Sequence, residues 1–351
     1  DELVGCFNTY VQNFNAANAE QIEKGEIEPL QESSAAFIEK ASGIKSRYVM
    51  NKSGILDPDI MHPLLPERSN DEPSILCEMA VAAAKDALKN ANRSVDDIDA
   101  VIVACSNLQR AYPAVSVEIQ HYLGVEGFAY DMNVACSSAT FGLQAALNAV
   151  QTGSAKAVLL INPEICTAHL NFRDRDSHFI FGDVCTAVVV EREDNLATDD
   201  SFEVISAKLM TKFSNNIRNN FGFLNRTAPG SENATDKLFV QQGRKVFKEV
   251  SPLVAKMISE HLEENKLSAD DLKQMWLHQA NLSMNQLIAK RVFGRPVEGH
   301  EAPVILDEYA NTSSAGSIIA FHKHRKDLKS GDVGVICSFG AGYSVGNIIL
   351  K

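Results

Sequence analysis

Ser94-Val-Asp-Asp-Ile98 and Ser268-Ala-Asp-Asp-Leu272 stand 174 residues apart, and laying one on the other brings the chain into register with itself. On the same shift Asn107-Leu108 falls on Asn281-Leu282, and Leu88 in the preceding helix falls on Leu262. A shift of 175 or 176 lays Ala-Cys-Ser-Ser-Ala (135–139) on Ala-Asn-Thr-Ser-Ser-Ala (310–315). Phe181-Gly182 corresponds in order to Phe339-Gly340, each leading into an apolar strand. One such match is noise; several in the same order indicate duplication. Around them, apolar runs of strand length recur at 100–104, 157–161, 187–190, 304–306, 333–337 and 347–350. Helical patterns alternate with these runs, at 3–14, 75–90 and 141–150 among others. The alternation predicts an α/β fold with helices covering a parallel or mixed sheet. Two duplicated halves are expected, 1–196 and 197–351. Residues 51–73, interrupted by Pro58, Pro63, Pro66 and Pro73, read as an irregular insertion.

Apolar residues make up 45% of the chain and charged residues 22%, which suffices for a core and excludes wholesale disorder. No apolar run approaches the roughly 18 residues of a membrane-spanning helix. The opening Asp1-Glu-Leu-Val-Gly5 has neither an initiator Met nor a signal segment, so a piece ahead of it is expected to have been removed or trimmed. A net charge of −12 speaks against general nucleic-acid binding. The charge is uneven, however. Residues 204–231 and 272–297 contain no acid and carry +4 each, so the rest of the chain stands at −20. Such basic stretches suit an anionic partner or a phosphate-bearing substrate, or else form a solvated face. Seven cysteines without a C-x-x-C pair or zinc-type spacing predict no metal site, and buried free thiols in a reducing compartment for six of them. The Asn-x-Ser/Thr triplets at Asn225, Asn233 and Asn281 carry no weight without a secretory context.

The seventh thiol is Cys136, in Asn-Val-Ala-Cys-Ser-Ser-Ala-Thr-Phe-Gly, between an extended segment and a helix start. The unpaired amides and positive end of a helix favour a thiolate there, and the cysteine's own N–H is placed to stabilise an oxyanion. A helix-start cysteine can equally be structural. His278 ends a strand-like run in Trp-Leu-His-Gln-Ala-Asn, where side chains of α/β sheets reach ligands, although most histidines simply sit in the core. The repeat sets Ala104 opposite His278, and Asn311 within one residue of the place Cys136 holds in the first half. Two facing helix-start sites across a pseudo-twofold bring Cys136 and Asn311 together, with His278 at the next strand end. The glycine-rich 339–346 runs into a last strand with no helix to receive a pyrophosphate, so a tight loop against a substrate is expected instead of a dinucleotide site. His322 and His324, beside Lys323 and Arg325, read as a solvated helix end.

Cys136 in Ala-Cys-Ser-Ser-Ala, His278 in His-Gln-Ala-Asn, Asn311 in Ala-Asn-Thr-Ser-Ser-Ala and the terminal Ser-Phe-Gly-Ala-Gly together resemble β-ketoacyl-[acyl carrier protein] synthase III of the thiolase superfamily, in order over nearly the whole chain. The resemblance implies a five-layered αβαβα thiolase fold, a cytoplasmic homodimer and a Cys136–His278–Asn311 active site. It implies no permanently bound cofactor, with coenzyme A and acyl carrier protein thioesters as substrates. Cys136 would accept an acyl group, and His278 and Asn311 would stabilise the enolate formed as malonyl-acyl carrier protein loses carbon dioxide. The amides of Cys136 and Ala341 match the family's oxyanion hole, and Tyr112 the aromatic residue that closes the partner's acyl pocket, to which Phe339 also belongs. Arg175 and Asn281 match coenzyme A contacts, and Lys290 and Arg291 match basic residues that dock the carrier. Family members begin with a strand and glycine turn ahead of the segment that opens here, so one strand of the first half is expected to be missing. The longer 5–70 region leans toward medium-chain primers. Same-fold rivals are a non-decarboxylating condensing enzyme or an acyltransferase. A silent subunit of a heteromeric synthase is the rival of another class, disfavoured by the presence of all three residues.

Overall fold

The protein was analysed as a computed structural model, which describes residues 1–231 and 234–351; Asn233 lies outside them. The first part of the chain runs α1 (Glu2–Ala17), α2 (Ala19–Glu23), α3 (Ala35–Ser42), α4 (Ile75–Asn90), β1 (Ala100–Ala104), α5 (Val115–Leu123), β2 (Phe128–Met132), α6 (Ser138–Thr152), β3 (Ala157–Ile165) and β4 (Asp183–Glu191). It continues with β5 (Val204–Ser214), β6 (Ile217–Arg218), β7 (Val240–Gln241), α7 (Gly243–Glu264) and β8 (Leu272–Leu277). Then follow α8 (Leu282–Phe293), α9 (Leu306–Tyr309), α10 (Gly316–His324), β9 (Val333–Gly340) and β10 (Gly342–Leu350).

Local chemistry fixes the helix ends. Ser74 caps α4 by accepting from the Cys77 N–H, and Asn281 caps α8 by accepting from Met284. Gly153 and Gly294 close α6 and α8 in the left-handed conformation that glycine adopts without cost. The two Ser-x-Asp-Asp motifs fold alike. The Ser94 and Ser268 N–H groups donate to Asp97 and Asp271 at 2.7 and 2.8 Å, each ahead of the first parallel strand of its sheet.

Those strands build two four-stranded sheets, ordered β2-β1-β3-β4 and β5-β10-β9-β8. In both, two parallel strands (β1/β3, β8/β9) are followed by an antiparallel one (β4, β10). The extra strand differs: β2 flanks β1 in the first sheet, and β5 flanks β10 in the second. Among the described residues, no strand lies beyond β4 where β5 lies beyond β10.

Three apolar clusters stack the layers. Leu76, Ala80, Ala84 and Leu88 of α4 join Val115 and Ile119 of α5 against Val101, Val103 and Leu159 of the first sheet. Between the sheets, Leu143 and Ala146 of α6 and Ile318 and Ile319 of α10 meet Ile102, Leu160, Trp276 and Ile336. Beyond the second sheet, Val254 and Ile258 of α7 and Ile288 of α8 cover Met275, Val335 and Val345. The order is helix, sheet, helix, sheet, helix.

One expectation needs correction, and one strand escaped the sequence reading. Residues 304–306 form no strand: the Ile305 N–H donates to Gln279 Oε1 at 2.9 Å, and α9 begins at Leu306. The eleven-residue β5 has no apolar run to betray it, because Ser206, Lys208, Thr211 and Lys212 interrupt a half-exposed edge strand.

Candidate active site

Cys136 sits on a sharp turn, Ala135–Ser137, between β2 and α6. Ala135 takes φ +48°, held there because its N–H donates to Asn133 Oδ1 at 2.9 Å. The Val134 N–H donates to Ser138 Oγ, whose hydroxyl in turn donates to the Ala135 carbonyl at 2.7 Å. The β9–β10 hairpin braces the turn from the other sheet, with Ser344 Oγ donating to Ser137 Oγ at 2.9 Å. Gly340 makes this approach possible: a Cβ there would stand 2.6 Å from Cys136 Cβ.

A second turn repeats the first. The Ser313 N–H donates to Asn311 Oδ1 at 2.9 Å, Ser313 takes φ +51°, and α10 follows as α6 does. The structural register is therefore a shift of 178, pairing Asn133 with Asn311 and Cys136 with Ser314, not Cys136 with Asn311. The main-chain of Asn311 is also clamped, donating to the Ile180 carbonyl and accepting from the Gly182 N–H, both at 3.0 Å. With its Oδ1 engaged by Ser313, the Asn311 amide is left to present Nδ2 as a donor.

His278 follows directly on β8, its N–H donating to the Cys337 carbonyl at 2.8 Å, its ring edge-on to Phe339 with centroids 5.2 Å apart. Cys136, His278, Asn311, Phe339 and Gly340 line one cavity of about 300 Å³, which continues past Phe37, Phe179, Phe181, Phe239 and Asn281. The walls are mostly apolar, with Ser42, Asp176, Gln241 and Asn281 the polar residues beside the three.

Electrostatics correct one expectation. Burial pushes the Cys136 thiol up to about 11, against the main-chain amides of Ala341 and Cys136 and the Ser313 hydroxyl, which favour the thiolate. The helix start is outweighed by desolvation, and the resting sulfur is a thiol. Burial likewise lowers His278 to about 4, so the imidazole is neutral at pH 7 with Nδ1 unpartnered.

The remaining expected residues scatter. Asn281 lines the cavity and donates to the Ala41 carbonyl at 2.6 Å. Arg175 lies over the Phe37 ring at 4.1 Å, with Nε on the Glu32 carbonyl. Lys290 and Arg291 are exposed in the last turn of α8 and pair with no carboxylate among the described residues, whereas Arg295 and Lys208 are neutralised by Glu301 and Glu264. Tyr112, 86% exposed, does not reach the cavity within one chain. All seven cysteines are free, and five are buried. His322 and His324 end α10, and no cluster among the described residues suits a metal.

Ser313 was not singled out by sequence reasoning, and only its place two residues past Asn311 hinted at its role; Gly340 lay within the glycine-rich 339–346 expected to form a tight loop.

Family models for 3-oxoacyl-[acyl-carrier-protein] synthase III match residues 130–212, and for its C-terminal part residues 262–351. A protein of Pseudomonas aeruginosa named beta-ketodecanoyl-[acyl-carrier-protein] synthase is 67% identical over 98% of this chain and 99% of its own. A beta-ketoacyl-[acyl-carrier-protein] synthase III of Agrobacterium fabrum is 28% identical over 97% and 98%. The solved 3-oxoacyl-[acyl-carrier-protein] synthase III of Aquifex aeolicus superposes with a TM-score of 0.74 at 25% identity, covering 91% of each chain.

Proposed function

The chain belongs to the 3-oxoacyl-[acyl-carrier-protein] synthase III family, with its thiolase fold, and from that premise we propose how its residues divide the condensing reaction. The Cys136 thiol attacks an acyl-coenzyme A thioester; coenzyme A leaves with the proton and the acyl group stays on sulfur. Malonyl-acyl carrier protein then enters the same cavity. As its carboxylate leaves as carbon dioxide, the electron pair moves to the thioester oxygen, and His278 and Asn311 Nδ2 donate to the resulting enolate. Its carbon attacks acyl-Cys136, the Cys136 and Ala341 amides face the oxyanion, and collapse returns the sulfur, which regains a proton from solvent. Neutral, fixed donors in a dry pocket suit a charge that develops only during the step. The convergence of Cys136, His278 and Asn311 on one cavity supports this reading most strongly.

The primer we infer is a medium-chain acyl group, supported by the 67% identical relative's beta-ketodecanoyl name and by the longer N-terminal region. Carbon dioxide release from malonyl-acyl carrier protein, measured with acyl-coenzyme A primers of two to twelve carbons, tests it. Release should peak near eight carbons. A peak with acetyl-coenzyme A would overturn the primer, and no primer-dependent release would overturn the reaction.

A homodimer is supported by Tyr112, Val117, Tyr122, Phe128 and Tyr130, all exposed along α5, β2 and the preceding loop. There Tyr112 would close the acyl pocket of the partner subunit. No helix among the described residues is long and apolar enough to cross a membrane, and seven free thiols suit the cytoplasm. Arg175 and Asn281 would hold coenzyme A, and Lys290 and Arg291 the acidic carrier. Reversing the last two, Lys290→Glu with Arg291→Glu, should raise KM for the carrier-bound substrate and spare acylation by a simple thioester. The effect should shrink from 0.1 M to 1 M salt as the Debye length falls from about 10 to about 3 Å. An unchanged KM at low salt would make the patch a solvated face.

A further inference from the structure

Glu164, in β3, is 1% exposed, and no step proposed above uses it. Its carboxylate accepts from the Ser106 N–H at 3.1 Å and the Ser106 hydroxyl at 2.5 Å, just past β1. From the other half it accepts from the Ser314 N–H at 3.2 Å and, closely, from the Ser314 hydroxyl. Ser106 is tied in turn to the Cys136 turn, because Asn133 Nδ2 donates to the Ser106 carbonyl at 2.8 Å. Asn133 is the residue whose Oδ1 holds Ala135, one residue from the sulfur. Ser314 lies one residue past Ser313, whose N–H orients Asn311. One unbroken path thus runs from the Cys136 turn through Asn133, Ser106, Glu164 and Ser314 to the Asn311 turn.

The duplication sharpens the point. Ala157 and Val333 open β3 and β9, so Glu164, and not Gly182 as the sequence match suggested, occupies in the first half the place of Gly340 in the second. Gly340 leaves room beside Cys136, while Glu164 fills the matching space beside Ser314. Of two copies of one site, one is open and the other is plugged by a carboxylate.

We propose that Glu164 is a positioning residue, the buried carboxylate that locks the Asn311 turn to the Cys136 turn and so sets the enolate donor against the acyl-bearing sulfur. The inference rests on the condensing reaction proposed above. A buried carboxylate is the acceptor such a junction needs: four N–H and O–H donors from two chain segments converge on it, with the Cys166 thiol a fifth at 3.7 Å, more than an amide oxygen accommodates. The titratable groups that feel its charge are thiols, Cys105, Cys136, Cys166 and Cys185; no cation among the described residues opposes it, and burial raises the carboxyl itself while the Ser106 and Ser314 donors hold it down.

Glu164→Gln keeps the shape, removes the charge and replaces one acceptor by a donor facing the serine N–H groups. In the full-length chain, decarboxylation of malonyl-acyl carrier protein should fall about 10- to 100-fold, the cost of a small misplacement. Acylation of Cys136 by acyl-coenzyme A should stay within about threefold, because the sulfur keeps its own turn and amides. The charge adds a signature that a packing role does not. With a negative neighbour removed, the pH midpoint for iodoacetamide alkylation of Cys136, read by peptide mass spectrometry, should move down by about one unit. Equal losses in both half-reactions, or a midpoint that stays or rises, overturn the proposal. Should Glu164→Gln not fold, Ser314→Ala decides: it keeps the carboxylate, and must depress decarboxylation more than acylation or the proposal fails. If the parent chain itself neither acylates nor decarboxylates, the functional reading falls, while the alkylation midpoint still judges Glu164.

Discussion

Cys136→Ala is expected to yield a folded protein that carries no acyl group and forms no 3-oxoacyl product. The substitution deletes one sulfur and leaves untouched the Asn133, Ser138 and Ser344 bonds that hold the turn, so the site should keep its shape. What disappears is the covalent intermediate that splits the transfer into two easier steps. Mass spectrometry after incubation with acyl-coenzyme A reads the outcome directly: the parent gains the acyl mass and the variant does not. Decarboxylation should partly survive, because His278 and Asn311 remain, and this separates loss of the nucleophile from collapse of the cavity. A label still appearing on the Cys136→Ala protein would remove Cys136 from the mechanism.

The enolate donors should show the opposite pattern. Removing one oxyanion-type donor typically costs about 10²–10³ in rate. His278→Ala and Asn311→Ala should each lose decarboxylation on that scale while Cys136 still acylates. Asn311→Asp is the cleaner variant. A carboxylate oxygen can still accept from the Ser313 N–H, so the turn persists, but this position no longer donates to the enolate and His278 is left alone to do so. Acidity supplies a second reading. A histidine lowered to about 4 by burial stays neutral from pH 5 to 8, so decarboxylation by the parent should show no inflection near 6.5, its ordinary value. Parent-like decarboxylation by either alanine variant would end that residue's enolate role, and an inflection between pH 6 and 7 would mean that the imidazole is not desolvated.

The fold was legible wherever burial writes itself as an apolar run. β1, at Ala100–Ala104, and α4, at Ile75–Asn90, end where the sequence pattern ends, because both are covered by neighbouring layers. β5 left no such mark, since an edge strand alternates burial with polar exposure. The convergence of Cys136, His278 and Asn311 on one cavity was visible from duplication and motif, but the pairing across the pseudo-twofold was not. That register depends on two side-chain–main-chain bonds, at Asn133 and Asn311, and two left-handed residues, Ala135 and Ser313, neither of them glycine. A repeat in composition cannot display a conformation that its residues rarely adopt. The acidity of Cys136 was misjudged for a related reason. A helix start is local and readable, whereas desolvation is set by everything that closes over the sulfur, including a hairpin some 200 residues away.

The two turns also bear on how a copied half-domain acquires work its parent could not do. A freshly duplicated pair presents the same atoms to both sides of its axis, and identical groups facing one another offer no polarity to a reaction. In this chain the fourth residue of one copy supplies a sulfur, the first residue of the other supplies an amide, and the residues beside them have diverged to glycine and glutamate. Symmetry set the distances, and its breaking at a few positions set the roles. Gly340→Glu, which would make the copies alike again at that place, would set a Cβ 2.6 Å from Cys136 Cβ and so displace the turn that carries the sulfur.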